Sequence, residues 1–367
     1  MAWKKLTQLR SFWRDRHDAY LLYKPEAWMG SDLRYITGFS GSTGVFLQTR
    51  RRNFILVDFR YKSQVREEVR EGITVLDVPP GESLIQVLGD KLRELGVKSV
   101  ALEGNAPVYF LKALRKTLRG SGIRLYAVSG LIARLRVRKE AHEIERLRRA
   151  QELTDRLFEW VLNNVRPGKM TERDLALEME VWARRNGADG MSFPPIVAVG
   201  ANSAKPHARP TDTLIPTRGV LLLDFGLKVE GYVSDMTRTL WIGRRVPSLF
   251  KRAYEVVLEA QERAIRKLSF SGAVPAKEVD AAAREYIDST EFKGTFGHGL
   301  GHGIGMDVHE APSLNPKSEY VLKGKEVVTV EPGIYLDGEF GVRIEDVVIA
   351  GSGENITGSP KREIIKL

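Results

Sequence analysis

The chain has 367 residues, enough for two domains, because single hydrophobic cores stop growing at roughly 250–300 residues. It contains no cysteine, which excludes thiol nucleophiles, iron–sulfur clusters, disulfides and cysteine-ligated zinc, so any metal has to sit among oxygen and imidazole ligands. The net charge of +10 is uneven: residues 1–140 carry 26 Lys and Arg against 14 Asp and Glu, the remainder 31 against 33.

That asymmetry predicts a domain boundary near residue 140. The basic residues of the first segment are scattered through alternating elements and not clustered with aromatics, which favours a solvated surface over a nucleic-acid interface. Met1-Ala-Trp-Lys-Lys and the charged run to Asp18 contain no apolar core, so no signal peptide is expected. No uncharged apolar stretch reaches the roughly 18 residues that a membrane span needs, and a cytoplasmic protein without membrane contact is expected.

In chain order, Asn53–Asp58 reads as a strand, Tyr61–Val69 as a helix, and Ile73–Val78 as a second strand. Leu84–Leu95 reads as a helix stopped by Gly96, then Val100–Leu102 as a strand, Tyr109–Leu118 as a helix and Ile123–Val128 as a strand. The alternation predicts an α/β domain over residues 1–135, without a carboxylate cluster.

Residues 136–367 follow a different pattern. Ile144, Leu147, Ala150, Leu153, Leu157 and Val161 recur at spacings of three and four, which predicts a long linking helix over about 138–165, stopped by Pro167-Gly168. Thr171 with Asp174 three residues on forms a capping box for a second helix through Trp182 that ends at Gly187. Further helices fit Ser248–Leu268 and Lys277–Ile287. Strands fit Ile196–Val199, Val220–Phe225, Tyr232–Leu240, Glu326–Tyr335 and Gly341–Ile349. Strand runs interleaved with helix pairs predict an α+β domain.

The chemistry sits on these strands. A hairpin turning at Val229-Glu230 would set Asp224 directly opposite Asp235, with Cβ atoms roughly 4.5–5.5 Å apart. A second hairpin centred on Gly338 would do the same for Glu331 and Glu345. Two like charges facing each other on apolar strands are destabilising unless a proton or a cation intervenes, and a cation explains both pairs at once. The third piece is Phe296-Gly-His298-Gly-Leu-Gly-His302-Gly-Ile-Gly-Met-Asp-Val-His309-Glu-Ala-Pro312. Its alternate glycines argue for a strand or loop that another backbone approaches closely. His302 supplies a nitrogen ligand. Four carboxylates balance two divalent cations, and oxygen-rich ligands with one imidazole suit manganese first, with cobalt, zinc or iron also compatible. A metal pair of this kind polarises a carbonyl and activates water for hydrolysis.

The series Leu223-Asp224-Phe-Gly, Ser234-Asp235-Met-Thr-Arg, Gly301-His302-Gly-Ile-Gly, His309-Glu310-Ala-Pro312, Val330-Glu331-Pro-Gly-Ile-Tyr335 and Arg343-Ile-Glu345-Asp346 resembles the proline-specific branch of the pita-bread metallopeptidases, the Xaa-Pro aminopeptidases and Xaa-Pro dipeptidases. Tyr35-Ile-Thr-Gly-Phe-Ser-Gly-Ser resembles the creatinase-type domain that accompanies them. The resemblance implies an α+β pita-bread catalytic domain preceded by a smaller α/β creatinase-type domain. It also implies a peptide substrate with proline at the second position, and a homodimer. By the same resemblance Asp224 would hold one metal, His302 and Glu331 the other, and Asp235 and Glu345 would bridge. Glu331 would double as general acid and base. His207 would lie near the leaving amine or scissile peptide, His309 would stabilise the tetrahedral intermediate, and His298 would line the substrate groove. Arg343 and Tyr335 would support the site from behind or meet the substrate. Met306 stands where such proteins often carry leucine, an apolar exchange.

Methionine aminopeptidases share the five ligands, but the extra N-terminal domain and His298-x-x-x-His302 argue against them. Creatinase-like amidinohydrolases and inactive binding modules of the same fold lack the complete ligand set. Between aminopeptidase and dipeptidase, the short chain and Gly38-Phe-Ser-Gly-Ser favour the aminopeptidase.

Overall fold

The computed structural model describes residues 2–26 and 30–367, which fall into two compact units, Met1–Leu135 and Arg136–Leu367.

The first unit is a mixed six-stranded sheet. Its elements are α1 (Ala2–Trp13), β1 (Ala19–Lys24), α2 (Asp32–Thr37), β2 (Gly44–Thr49), β3 (Asn53–Val57), α3 (Lys62–Glu68), β4 (Thr74–Asp77), α4 (Leu84–Glu94), β5 (Ser99–Glu103), α5 (Val108–Thr117), β6 (Arg124–Val128) and α6 (Leu131–Arg136). The strand order is β4-β3-β2-β1-β5-β6. The meander β1-β2-β3 is antiparallel and the outer strands join in parallel through helical crossovers. From β3 to β6 the elements match the alternation expected from sequence. The pattern does not single out α1, β1 or β2. The two strands are six-residue runs, too short for periodicity to separate strand from helix.

In the second unit, α7 (Ala141–Asn164) starts on a capping box between Glu140 and Glu143, and α8 (Glu172–Arg185) on the expected box between Thr171 and Asp174. Then come β7 (Gly190–Met191), β8 (Ile196–Val199), β9 (Gly219–Phe225), β10 (Leu227–Val229), β11 (Tyr232–Val233) and β12 (Met236–Ile242). The sheet β8-β9-β12 buries Leu221, Leu223, Met236, Leu240 and Ile242 against Leu157, Val161, Leu175 and Met179 of α7 and α8. Each such leucine contributes about 1.5–3 kcal/mol on burial.

A second pair, α9 (Ser248–Leu268) and α10 (Ala276–Asp288), covers a second sheet. Here β13 (Val274–Pro275) pairs with β16 (Val321–Leu322). The sheet itself contains β14 (Gly301–Gly303), β15 (Glu310–Leu314), β17 (Val327–Val330), β20 (Asp346–Ile349) and β21 (Glu354–Asn355). The hairpin β18 (Gly333–Leu336) and β19 (Phe340–Arg343) extends from it. No described helix is long and apolar enough to cross a membrane.

The two hairpins differ from each other in how they meet expectation. Val330 pairs with Asp346 and Gly333 with Arg343, so the register on both sides of Glu331 and Glu345 is the one expected for a turn at Gly338. Asp224, by contrast, pairs with Thr237 and not with Asp235. The turn residues are Glu230 and Gly231, both at positive φ (50° and 82°), one position later than expected. A two-residue turn with two positive φ values matches the strand twist and takes glycine readily at its second position, which explains the choice. The register is thereby offset by two residues. Because side chains alternate with a period of two, the offset keeps Asp224 and Asp235 on one face, as diagonal neighbours.

Candidate metal centre and active site

Asp224 lies on β9, Asp235 just before β12, His302 on β14, and Glu331 and Glu345 in the short breaks between β17 and β18 and between β19 and β20. Ligand atoms of Asp235, His302 and Glu345 lie within 4.8 Å of one another. His302 Nε2 stands 3.4 Å from Glu331 Oε1 and 3.8 Å from Asp235 Oδ2. All five residues, with His207, His298, His309 and Arg343, line one cavity of about 530 Å³, whose remaining wall includes Phe193, Pro194 and Val308. Tyr335 stands behind this wall, its hydroxyl bonded to His298 Nε2 at 2.9 Å and accepting from Arg343 Nη1 at 2.8 Å.

The electrostatics require a counter-charge. Burial, then Asp224 and Glu331, push the Asp235 carboxyl well above the usual range. Burial and the charges of Asp235, Glu331 and Asp224 do the same to Glu345, and burial pushes Glu331 up to about 8. Asp224 is raised by burial, with Arg343 opposing. Among the described residues, Oδ1 of Asp224 and Oδ1 of Asp235 are buried without a hydrogen-bond partner. Four crowded carboxylates, two of them with an orphaned oxygen, fit divalent cations.

His302 is a neutral imidazole that could serve as a ligand. Its Nδ1 faces the carbonyl of Gly303 at 3.1 Å, and a proton donated there leaves the Nε2 lone pair facing the space between the carboxylates. Burial and His309 lower its pKa to about 4. The glycines beside it are a packing requirement: a Cβ at Gly301 would collide with the Thr329 carbonyl oxygen, and one at Gly303 with that of Ala311. His309 packs edge-on against His302, ring centroids 4.4 Å apart. Burial lowers His298 to about 4, so it too is neutral. His207 is exposed on the cavity wall.

Arg343 is buried, and its head donates to Asp224 Oδ2 at 2.6 Å and to Thr237 Oγ1 at 3.0 Å. Its Nη1 donates instead to the Tyr335 hydroxyl at 2.8 Å and to the Pro206 carbonyl at 3.3 Å. Sequence reasoning passes over several supporting residues. Thr237 Oγ1 donates to Glu345 Oε2 at 2.7 Å, and Thr329 Oγ1 to Glu331 Oε1 at 3.3 Å. Thr237 lies two residues after Asp235, and Thr329 two before Glu331. The strand period therefore carries the signal that could have found them. Arg238 donates to Asp346 Oδ1 at 2.8 Å and to the Glu345 carbonyl at 2.7 Å, fixing the backbone that carries Glu345.

This fold and this carboxylate–imidazole centre define a metal-dependent peptidase. Residues 145–351 match metallopeptidase family M24 and residues 6–138 match the creatinase/prolidase N-terminal domain. The chain belongs to metallopeptidase family M24, with a creatinase-type domain followed in sequence by a pita-bread catalytic domain. An uncharacterized peptidase of Bacillus subtilis, YqhT, is 38% identical over 337 residues, 91% of this chain and 93% of the relative. A Xaa-Pro dipeptidase of Pyrococcus horikoshii is 35% identical over 74% of this chain and 76% of its own. Among solved structures, a Xaa-Pro dipeptidase from Bacillus anthracis superposes with TM-score 0.92 at 36% identity, covering 100% of both chains. An X-Pro aminopeptidase from Thermotoga maritima superposes with TM-score 0.88 at 33% identity, over 96% of this chain and 98% of that one.

Proposed function

We propose that this chain hydrolyses the Xaa-Pro peptide bond and releases the N-terminal residue, using two divalent cations held by Asp224, Asp235, His302, Glu331 and Glu345. The convergence of four carboxylates, two buried and two half-buried, and one neutral imidazole on a single cavity carries this reading. When bound, divalent cations supply polarisation of the scissile carbonyl and a nucleophilic water at neutral pH. Glu331 would serve as the general acid and base, holding a proton taken from the attacking water and giving it to the leaving nitrogen. His309 donates to the developing oxyanion, and His207 acts near the leaving amine or the scissile peptide. His298, with Tyr335 behind it, lines the groove, and Arg343 holds Asp224.

Proline specificity has a physical basis. The prolyl nitrogen carries no N–H, so a groove with apolar walls such as Phe193, Pro194 and Val308 loses nothing by offering that nitrogen no acceptor. Relatives named Xaa-Pro dipeptidase favour a second reading, in which Xaa-Pro dipeptides are the substrates. Manganese is the metal that the oxygen-rich ligand set favours, with cobalt, zinc or iron as alternatives. A cytoplasmic homodimer completes the proposal. Residues 1–135 form its N-terminal domain and residues 136–367 its peptidase domain, entered through the helix at about 138–165; the division into two compact units supports that boundary.

The test is direct. Purified protein stripped by chelator and reloaded with one metal at a time is assayed on Gly-Pro and on a longer Gly-Pro-Xaa peptide. Cleavage of the longer peptide after its first residue supports the aminopeptidase, and cleavage of Gly-Pro alone the dipeptidase. Full turnover in the chelated protein overturns both.

A further inference from the structure

Glu310 follows His309 directly, and its carboxylate is almost entirely enclosed, with 6% of the side chain exposed. Oε1 accepts from the backbone N–H groups of Met306 at 2.7 Å and Asp307 at 3.1 Å, and from Arg136 Nη2 at 2.5 Å. Oε2 accepts from Lys139 Nζ at 3.1 Å. Arg136 also donates to Asp307 Oδ2 at 2.7 Å. The Arg136 and Lys139 side chains are 7% and 2% exposed. Two buried cations thus meet the enclosed Glu310 carboxylate, and one of them also meets the partly exposed Asp307, 29% of whose side chain is open.

Stability alone does not account for this cluster. A buried ion network has first to overcome its own desolvation, and apolar residues of the same volume are commonly as stable. What it does provide is position. The segment from Gly305 to Glu310 is held at its start by Val233, whose N–H donates to the Gly305 carbonyl at 2.9 Å. In the middle it is held by the two amides on Glu310. Gly305 has no room for a side chain because its Cβ would run into the Glu310 carboxylate. His309 is bracketed between these ties, and its ring leaves the segment toward His302.

We propose that Glu310, clamped by Arg136 and Lys139, is a positioning residue for His309, and that loosening the clamp slows turnover through His309 while leaving the metal ligands in place. The inference rests on the reading of His309 as a group that acts on the substrate. Neither Arg136 nor Lys139 lines the cavity; Lys139 acts through Glu310, and Arg136 through Glu310 and Asp307.

The experiment uses full-length, manganese-loaded protein and a Xaa-Pro peptide. The variants are Lys139→Met, Arg136→Lys, His309→Ala and the double variant Lys139→Met/His309→Ala. Lys139→Met is expected to lower kcat about 10–100-fold, the range typical for residues that orient an active-site group, with KM and bound manganese unchanged. Arg136→Lys, which keeps the charge, is expected to retain most of the turnover even if Lys139→Met folds poorly. In metal-free protein, hydrogen exchange of the 304–310 segment is expected to rise in Lys139→Met and to stay at the wild-type level elsewhere in the peptidase unit. In the double variant Lys139→Met is expected to cost nothing further, because the group it positions is gone. Multiplicative losses, or a well-folded Lys139→Met with wild-type kcat, overturn the inference. Full turnover in His309→Ala overturns instead the role given to His309.

Discussion

Arg343 Nη2 donates to Oδ2 of Asp224 at 2.6 Å, while Oδ1 of the same carboxylate is buried without a partner among the described residues. One oxygen is braced by the protein and the other is kept for something the protein does not supply. Arg343→Met should therefore lower metal affinity or turnover by about 10–100-fold, because it frees the braced oxygen and strands Thr237 and Tyr335 together. Metal titration with parallel kinetics checks this. Unchanged affinity and turnover would mean that Asp224 needs no brace.

Asp235 and Glu345 are the two acids pushed up by burial and by the largest number of like charges. Asp235→Asn or Glu345→Gln should remove metal-dependent activity by more than about 10³-fold. The same changes relieve repulsion in metal-free protein, so metal-free Asp235→Asn should melt above metal-free wild type. Adding metal should raise the wild-type Tm, by the equivalent of about 4 kcal/mol at a thousandfold excess over Kd, and leave that of the variant in place. Thermal scans with and without manganese distinguish these outcomes.

Gly301 faces the backbone of Thr329 so closely that a methyl group has nowhere to go. Since the obstacle is a carbonyl in a strand and not a side chain, Gly301→Ala should cost about 1–3 kcal/mol and displace His302 beside it. Denaturant melts and metal content measure both effects. A stable variant with a full metal complement would remove the packing explanation for the glycine.

The Glu310 carboxylate gives a pH signature away from the metal ligands. Burial opposes ionisation there, but Lys139, Arg136 and the Asp307 amide hold its pKa down to about 2. A depressed acid contributes stability that is present above its unfolded value near 4.3 and is lost as pH falls toward 2; here it is on the order of 3 kcal/mol. The penalty of Glu310→Gln should thus be full at pH 7 and shrink below pH 4. Chemical denaturation of both proteins at several pH values tests the slope, and a penalty independent of pH contradicts it.

How much of this was legible before the fold is best seen residue by residue. Asp224, Asp235, His302, Glu331 and Glu345 stand out in the bare chain because strand period, turn glycines and alternate glycines are written in adjacent residues. The hairpin at Gly338 has the expected register. The earlier hairpin does not, because two neighbouring residues both accept a place in the turn, and only the positive φ at Glu230 and Gly231 decides between them. The parity of the strand protected the inference from that error.

Local pattern along the chain was sufficient to single out the five candidate ligands and most helices and strands, since those depend on neighbours within a few residues. Packing alone decided which partners meet across long separations. Arg136 reaches Glu310 over 174 residues, Arg343 reaches Asp224 over 119, and Thr237 reaches Glu345 over 108. No periodicity encodes such pairs, because their geometry exists only once two sheets and their covering helices have closed on a common core.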